Sequence, residues 1–159
     1  MYRHTQRSTA ILALFLLAAI VPLAILLFGP GPALPAGPRL VLVATALVLA
    51  ASAVAFSSLT IEVADGRLSW HFGPGVLRKS IPVATIAGAE TTTTKLWEGW
   101  GIHLTLRGWL YNVAGRGAVL VTRRDGGRFM LGSDEPDALL EAIRAAQATA
   151  AQRERARPR

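Results

Sequence analysis

A chain of 159 residues has room for a membrane anchor and one soluble domain of about 100 residues, and not for two such domains. Apolar residues make up 52% and charged residues 17%, well under the roughly 25% charge of a soluble domain, so part of the chain belongs in lipid. The absence of cysteine excludes disulfides, thiolate nucleophiles, iron–sulfur clusters and thiolate zinc sites, while a net charge of +7 suits an anionic bilayer surface or, less specifically, nucleic acid.

Residues 1–8 carry Arg3, His4 and Arg7 and read as a short cytoplasmic N-terminus. From Thr9 to Phe28 the chain runs twenty residues without a charge, which at 1.5 Å per residue spans about 30 Å as a helix. Leu40 to Phe56 is slightly shorter and still long enough, with Arg39 snorkelling at one end and Ser57 and Ser58 at the other. The Gly- and Pro-rich stretch between them reads as a tight turn, and Pro22 should kink the first helix, which membranes tolerate. Residues 9–57 are therefore expected to form a transmembrane helical hairpin. A cleaved secretory signal is the rival reading, but the first run exceeds a usual signal core and a cleaved product would still carry the second span. Basic residues flank the pair and only Arg39 lies in the turn, so both termini are expected in the cytoplasm, in a multi-pass protein of the inner (cell) membrane.

The period then changes. Leu59, Ile61 and Val63 alternate with polar positions, Asp65-Gly66 forms a two-residue turn, and Leu68, Trp70 and Phe72 resume the alternation, which is a β-hairpin. Residues 76–83 and 85–94 give two more strand-like stretches, the second rich in threonine. Gly101–Arg107, Trp109–Val113, Ala118–Thr122 and Arg128–Leu131 follow, separated by turns. About seven short antiparallel strands at near-regular intervals indicate a sandwich or barrel. Ser133 to Pro136 then reads as a helix start, and Leu139, Leu140, Ile143 and Ala146 recur at helical spacing, so a helix should cap the strands. Residues 58–150 make one domain, and 151–159 a disordered basic tail.

Seven antiparallel strands closed by a C-terminal helix resemble the plan of the pleckstrin-homology superfamily. Locally, Trp100-Gly101-Ile102, Tyr111-Asn112-Val113, Gly126-Gly127 and the run Leu131 to Pro136 resemble bacterial pleckstrin-homology-like domains that follow paired membrane helices in uncharacterised proteins. The resemblance implies an all-β barrel with a C-terminal helix, and says little of ligand. Phosphoinositide-binding members hold the headgroup with basic residues in the first hairpin loop. Here that loop is Asp65-Gly66-Arg67, so tight phosphoinositide recognition there is not expected.

Chemistry-bearing constellations are sparse. His4, His71 and His103 lack a carboxylate or second histidine at ligand spacing, Ser133 sits where a helix cap belongs, and the glycine pairs separate strands; no catalytic, cofactor or metal residue is expected. Two basic patches stand out, Arg78 with Lys79 near the Gly-Pro-Gly turn, and Arg123, Arg124 and Arg128 around another, although ordinary solvated turns would carry the same charges. Trp97 and Trp100 lie in a loop, where they either fold back over the barrel or rest at the membrane interface. These seven residues are the candidate contacts for anionic lipid headgroups or for an unidentified protein partner. Nucleic acid is not expected, because no aromatic stacking platform accompanies the basic tail. The expectation is a non-enzymatic, membrane-anchored module. Small residues in the second span, Ala44, Ala46, Ala50, Ala51, Ser52 and Ala53, leave open an accessory subunit of a transport or envelope-maintenance complex assembled through its helices.

Overall fold

The computed structural model describes residues 1–30, 33–94 and 100–156. Two apolar helices, α1 (Thr9–Phe28) and α2 (Ala36–Phe56), pack side by side as a hairpin. Ser8 caps α1 by accepting a hydrogen bond from Ile11 N at 3.2 Å, satisfying one of the orphan donors of the first turn. The second helix starts four residues earlier than its apolar run, because Pro38 is tolerated in a first turn that leaves its N–H unpaired anyway. Ala19 and Pro22 of α1 and Ala46 and Ala53 of α2 are buried, whereas Leu14, Leu17, Ile20, Val21, Leu47, Val48 and Val54 face outward. Both helices are long and apolar enough to span a membrane.

The unexpected element precedes them. Tyr2–Arg7 is not a loose N-terminus but a strand, β1, paired antiparallel with β2 (Ser58–Ala64) from Tyr2↔Val63 to Arg7↔Ser58. The ladder continues to the helix ends, where Ser8 N donates to Ser57 O at 2.7 Å. The helical pair thus sits where a hairpin loop would join two adjacent strands. Inside the domain His4 and Gln6 take the inward phase: Gln6 is buried and its amide donates to Ala114 O at 2.9 Å, and His4 lies 2.6 Å from Asp134 and 3.3 Å from Glu135. Burial raises the Tyr2 phenol above its ordinary value of 10.0, with Glu135 and Asp134 acting in the same direction.

The β2–β3 hairpin follows as expected, β3 being Arg67–Phe72. Asp65 and Gly66 both have positive φ (50° and 71°), the backbone a two-residue hairpin turn requires. Strand β4 (Val76–Pro82) completes a four-stranded sheet in the order β1-β2-β3-β4. A 3-10 turn at Val83–Thr85 leads into β5 (Ile86–Thr93), which with β6 (Gly101–Thr105), β7 (Gly108–Asn112), β8 (Gly117–Arg123) and β9 (Arg128–Gly132) forms a second sheet, ordered β5-β8-β9-β7-β6.

This corrects the expected barrel of about seven antiparallel strands. The described strands form two sheets that do not close on each other, and β7 pairs with β9 in parallel through Trp109↔Phe129, Leu110↔Met130 and Tyr111↔Leu131. Alternation specifies which face a residue takes, and it is the same for parallel and antiparallel partners. The core lies between the sheets: Leu59, Ile61, Trp70 and Phe72 from one, Val119, Val121, Phe129 and Leu131 from the other. Helix α3 (Pro136–Arg155) closes one side with Leu139, Leu140 and Ile143 against β2, β5, β8 and the 3-10 turn. It continues to Arg155, through the first residues of the segment expected to be a tail. Ala, Gln and Arg are strong helix formers, and Arg153 and Arg155 complement the negative C-terminal end of the dipole.

The anchoring role of β1 yields a prediction. Gln6→Leu should cost about 1–2 kcal/mol of unfolding free energy by removing the bond to Ala114, while Arg3→Leu on the exposed phase stays within about 0.5 kcal/mol. Denaturant titration of the two variants in detergent measures both.

Candidate functional site

The side of the sandwich away from α3 is open. Strand β4 is an edge strand, exposed along most of its length, and β6 is the free edge of the second sheet. Between β4 and β7 runs a groove of about 450 Å³ lined by residues of β3, β4, β7, β8 and β9. Its floor is aromatic. Trp70 stacks on Phe129 with centroids 4.9 Å apart and meets Tyr111 edge-on at 5.3 Å. Period-2 alternation places Trp70, Trp109, Tyr111 and Phe129 on inner faces of their strands; Trp109, at the start of β7 beside the exposed β6–β7 turn, remains half-exposed, while Tyr111 farther along the same strand is buried.

The rim is cationic. Lys79, opposite Trp70 in the ladder, donates from Nζ to the Tyr111 hydroxyl at 2.7 Å and stands 5.1 Å from the Tyr111 ring centroid and 6.0 Å from that of Trp109, within cation–π range. Arg123 and Arg128 flank the β8–β9 turn. That turn is held by Arg123 N donating to Gly127 O at 2.8 Å and by Gly127 N donating to Asp125 Oδ1 at 3.0 Å. Asp125 also takes the Arg123 guanidinium at 2.7 Å, leaving three cations against one carboxylate at the groove.

Two further donors belong to groove-lining residues. The Trp70 indole Nε1 and the Arg123 Nε are both buried and have no hydrogen-bond partner among the described residues. A buried donor left unpaired costs about 1–3 kcal/mol, but both atoms are closed to solvent, so the donors open to a ligand are those of the three cations. Indole N–H, guanidinium N–H and ammonium are donors only. The groove therefore presents an excess of donors over an aromatic floor, which matches a ligand group that is anionic and adjoins apolar surface.

Of the seven residues singled out in the sequence, Lys79, Arg123 and Arg128 converge here. Arg78 does not: it neighbours Lys79 on the strand, takes the opposite phase and is exposed. Arg124 lines a separate cavity of about 250 Å³ with Val83, Ile86 and Gln147 beside α3, and its backbone N–H donates to Thr85 O at 2.9 Å. Trp100 is half-exposed just before β6, and Trp97 lies outside the described residues. Sequence reading missed the aromatic floor, although the in-phase spacing of Trp109 and Tyr111 carried a signal for it. A larger cavity of about 650 Å³ lies between α3 and the β1–β2 end, lined by five alanines together with Tyr2, Asp65, Thr149 and Arg153 among others; its charges are one of each sign. Among the described residues no group of three or more His, Asp or Glu side chains could hold a metal ion.

No protein-family model, curated protein or solved structure matches the chain significantly.

Lys79 is exposed and belongs to an edge strand, so its polar contacts add little to folding. Lys79→Ala should lower stability by no more than about 1 kcal/mol. A loss above about 3 kcal/mol in chemical denaturation would instead make it a structural residue.

Proposed function

We propose that this chain is a non-enzymatic, membrane-anchored binding module of the inner membrane, with both termini in the cytoplasm and a pleckstrin-homology-like domain that docks an anionic group in the Lys79–Arg123–Arg128 groove. The observation that carries the proposal is the convergence of three cations, Lys79, Arg123 and Arg128, over the aromatic floor. Two helices long and apolar enough to span support the anchor, and the outward-facing leucines and valines along them favour a lipid environment. Arg3 and Arg7 before the pair, with most cations after it, support a cytoplasmic placement. A C-terminal helix packed on two sheets supports the pleckstrin-homology-like reading, from which the parallel β7–β9 pair and the added β1 are departures. Ser80, a hydroxyl lining the groove, accepts a bond from Arg67 Nε at 2.8 Å, and among the described residues no histidine lines the groove beside it, which favours binding over catalysis.

The anionic group belongs either to a protein partner or to a lipid headgroup. Val76 comes just after the turn beside the α2 end, and because of the bulge between them Lys79 stands two ladder positions farther on, about 7 Å, at the outer limit of a headgroup layer about 5–8 Å thick per leaflet. The aromatic floor beside the cations fits an acidic, partly apolar segment of a partner.

A second reading, assembly through the helices as an accessory subunit of a membrane transport or envelope-maintenance complex, draws on α2. Ala46 and Ala53 are buried, but Ala44 and Ala51, also seven residues apart, are exposed, and small residues permit close helix approach.

The proposal is tested with the full chain in nanodiscs of zwitterionic lipid, by fluorescence anisotropy of a labelled peptide of alternating glutamate and leucine. Binding should weaken with salt, and Lys79→Glu with Arg128→Glu should weaken it at least about tenfold, or 1.4 kcal/mol. Competition by phosphatidylglycerol placed in the disc would assign the groove to lipid headgroups; no binding to either probe would remove the groove reading. Arg3→Cys and Ala151→Cys, made one at a time, should both label only from the cytoplasmic side, and labelling of either from outside would overturn the topology.

A further inference from the structure

The turn after β3 stands beside the last turn of α2, not beyond it. A Cβ on Gly73 would fall 2.7 Å from the carbonyl oxygens of both Val54 and Ala55, so only glycine lets the backbones approach this closely. The turn is pinned there by Gly73 N donating to Ser58 O at 2.9 Å and by the Phe56 and Phe72 rings, 5.9 Å apart.

The first residues of β4, immediately past the turn, are apolar and uncovered. Val76 and Leu77 are both exposed. The ladder shifts register between Phe72↔Val76 and Trp70↔Lys79, so Leu77 and Arg78 together oppose His71 in a bulge, and Leu77 adopts a φ of +53°. A bulge re-aims the side chain it carries, and a left-handed backbone at a leucine is uncommon. The other sheet contributes at the same end. Trp100 immediately precedes Gly101, which pairs with Asn112. Two residues after Asn112, Ala114 receives the Gln6 amide, and Gln6 stands two residues before the cap of α1.

We infer that the Gly73–Leu77 turn is a membrane wedge: Val76 and Leu77 enter the acyl–headgroup boundary beside the end of α2, with Arg78 at phosphate level. The partner is the bilayer itself, identified by continuity with α2, because a turn packed on the last helical turn shares the depth of that turn. The inference rests on the reading that α1 and α2 span the membrane, and it is independent of what occupies the groove. Apolar side chains with a tryptophan and arginines at the boundary match the composition of interfacial anchors. A contact of this kind, added to the two helices, holds the sandwich at a fixed tilt on the surface.

The chain has no cysteine, so nitroxide labels can be placed one at a time in the full protein in phosphatidylcholine vesicles. Leu77→Cys and, free of the left-handed backbone, Val76→Cys should be more accessible to oxygen than to a water-soluble nickel chelate, as should Leu17→Cys on the outward face of α1. Leu106→Cys on the fully exposed β6–β7 tip should show the reverse. Nickel-favoured labels at positions 76 and 77 with an oxygen-favoured label at position 17 would overturn the wedge alone. A nickel-favoured label at position 17 would overturn the spanning reading and the wedge with it.

Discussion

The pairing of β1 with β2 is the constraint on which the rest of the structure depends. Six residues before the helical pair and six after it form one continuous antiparallel ladder, closed at the helix ends by the bond between Ser8 N and Ser57 O. One residue separates strand from helix on each side, Ser8 and Ser57. With no linker, the domain lacks the rotational freedom that a tether of several flexible residues would give. The ladder also places both outer ends of the helical pair on one side, whichever compartment that is.

Everything oriented in the domain inherits its direction from that junction. Phe56 and Phe72 pack across it, Gly73 locks the β3–β4 turn to α2, and β4 then runs away from the helices toward Lys79. The aromatic core also shapes the groove. Trp70, Tyr111 and Phe129 belong at once to the inter-sheet core and to the groove floor, so the surface offered to a ligand is the outer margin of the packing that holds the sheets together. Lys79 stands on that margin because an edge strand tolerates charge, and charge on an edge discourages pairing with a stray strand; Arg123 and Arg128 reach it from the β8–β9 turn. In the proposed function the same lysine also meets the ligand.

The helices and the β2–β3 hairpin were legible in the sequence because their signals are local: unbroken hydropathy over twenty residues, and Asp-Gly between two alternating runs. Strand β1 was not legible. Tyr2 is its one large apolar residue, and its inward His4 and Gln6 find hydrogen-bond partners in Asp134 and Ala114, far along the chain. The parallel β7–β9 pair was hidden for a related reason, since alternation identifies a face and never a partner. Lys79, Arg123 and Arg128 were readable as charges near turns; their convergence was not, because it depends on how β4 lies against β7 and β9. Arg124 shows the limit from the other side. One residue from Arg123, it takes the opposite phase and leaves the groove.

The measurement that bears most directly on the junction is a disulfide across β1 and β2. The Thr5 and Thr60 hydroxyls lie 2.9 Å apart on directly opposed residues, a separation that two cysteines can bridge. In a chain with no native thiol, Thr5→Cys combined with Thr60→Cys should oxidise to an intramolecular crosslink in the membrane without disturbing the fold. Thr5→Cys with Glu62→Cys, two residues out of register on the same face, should not. A crosslink that forms equally in both pairs, or in neither, would contradict a fixed β1–β2 ladder and with it the rigid coupling of the domain to its helices.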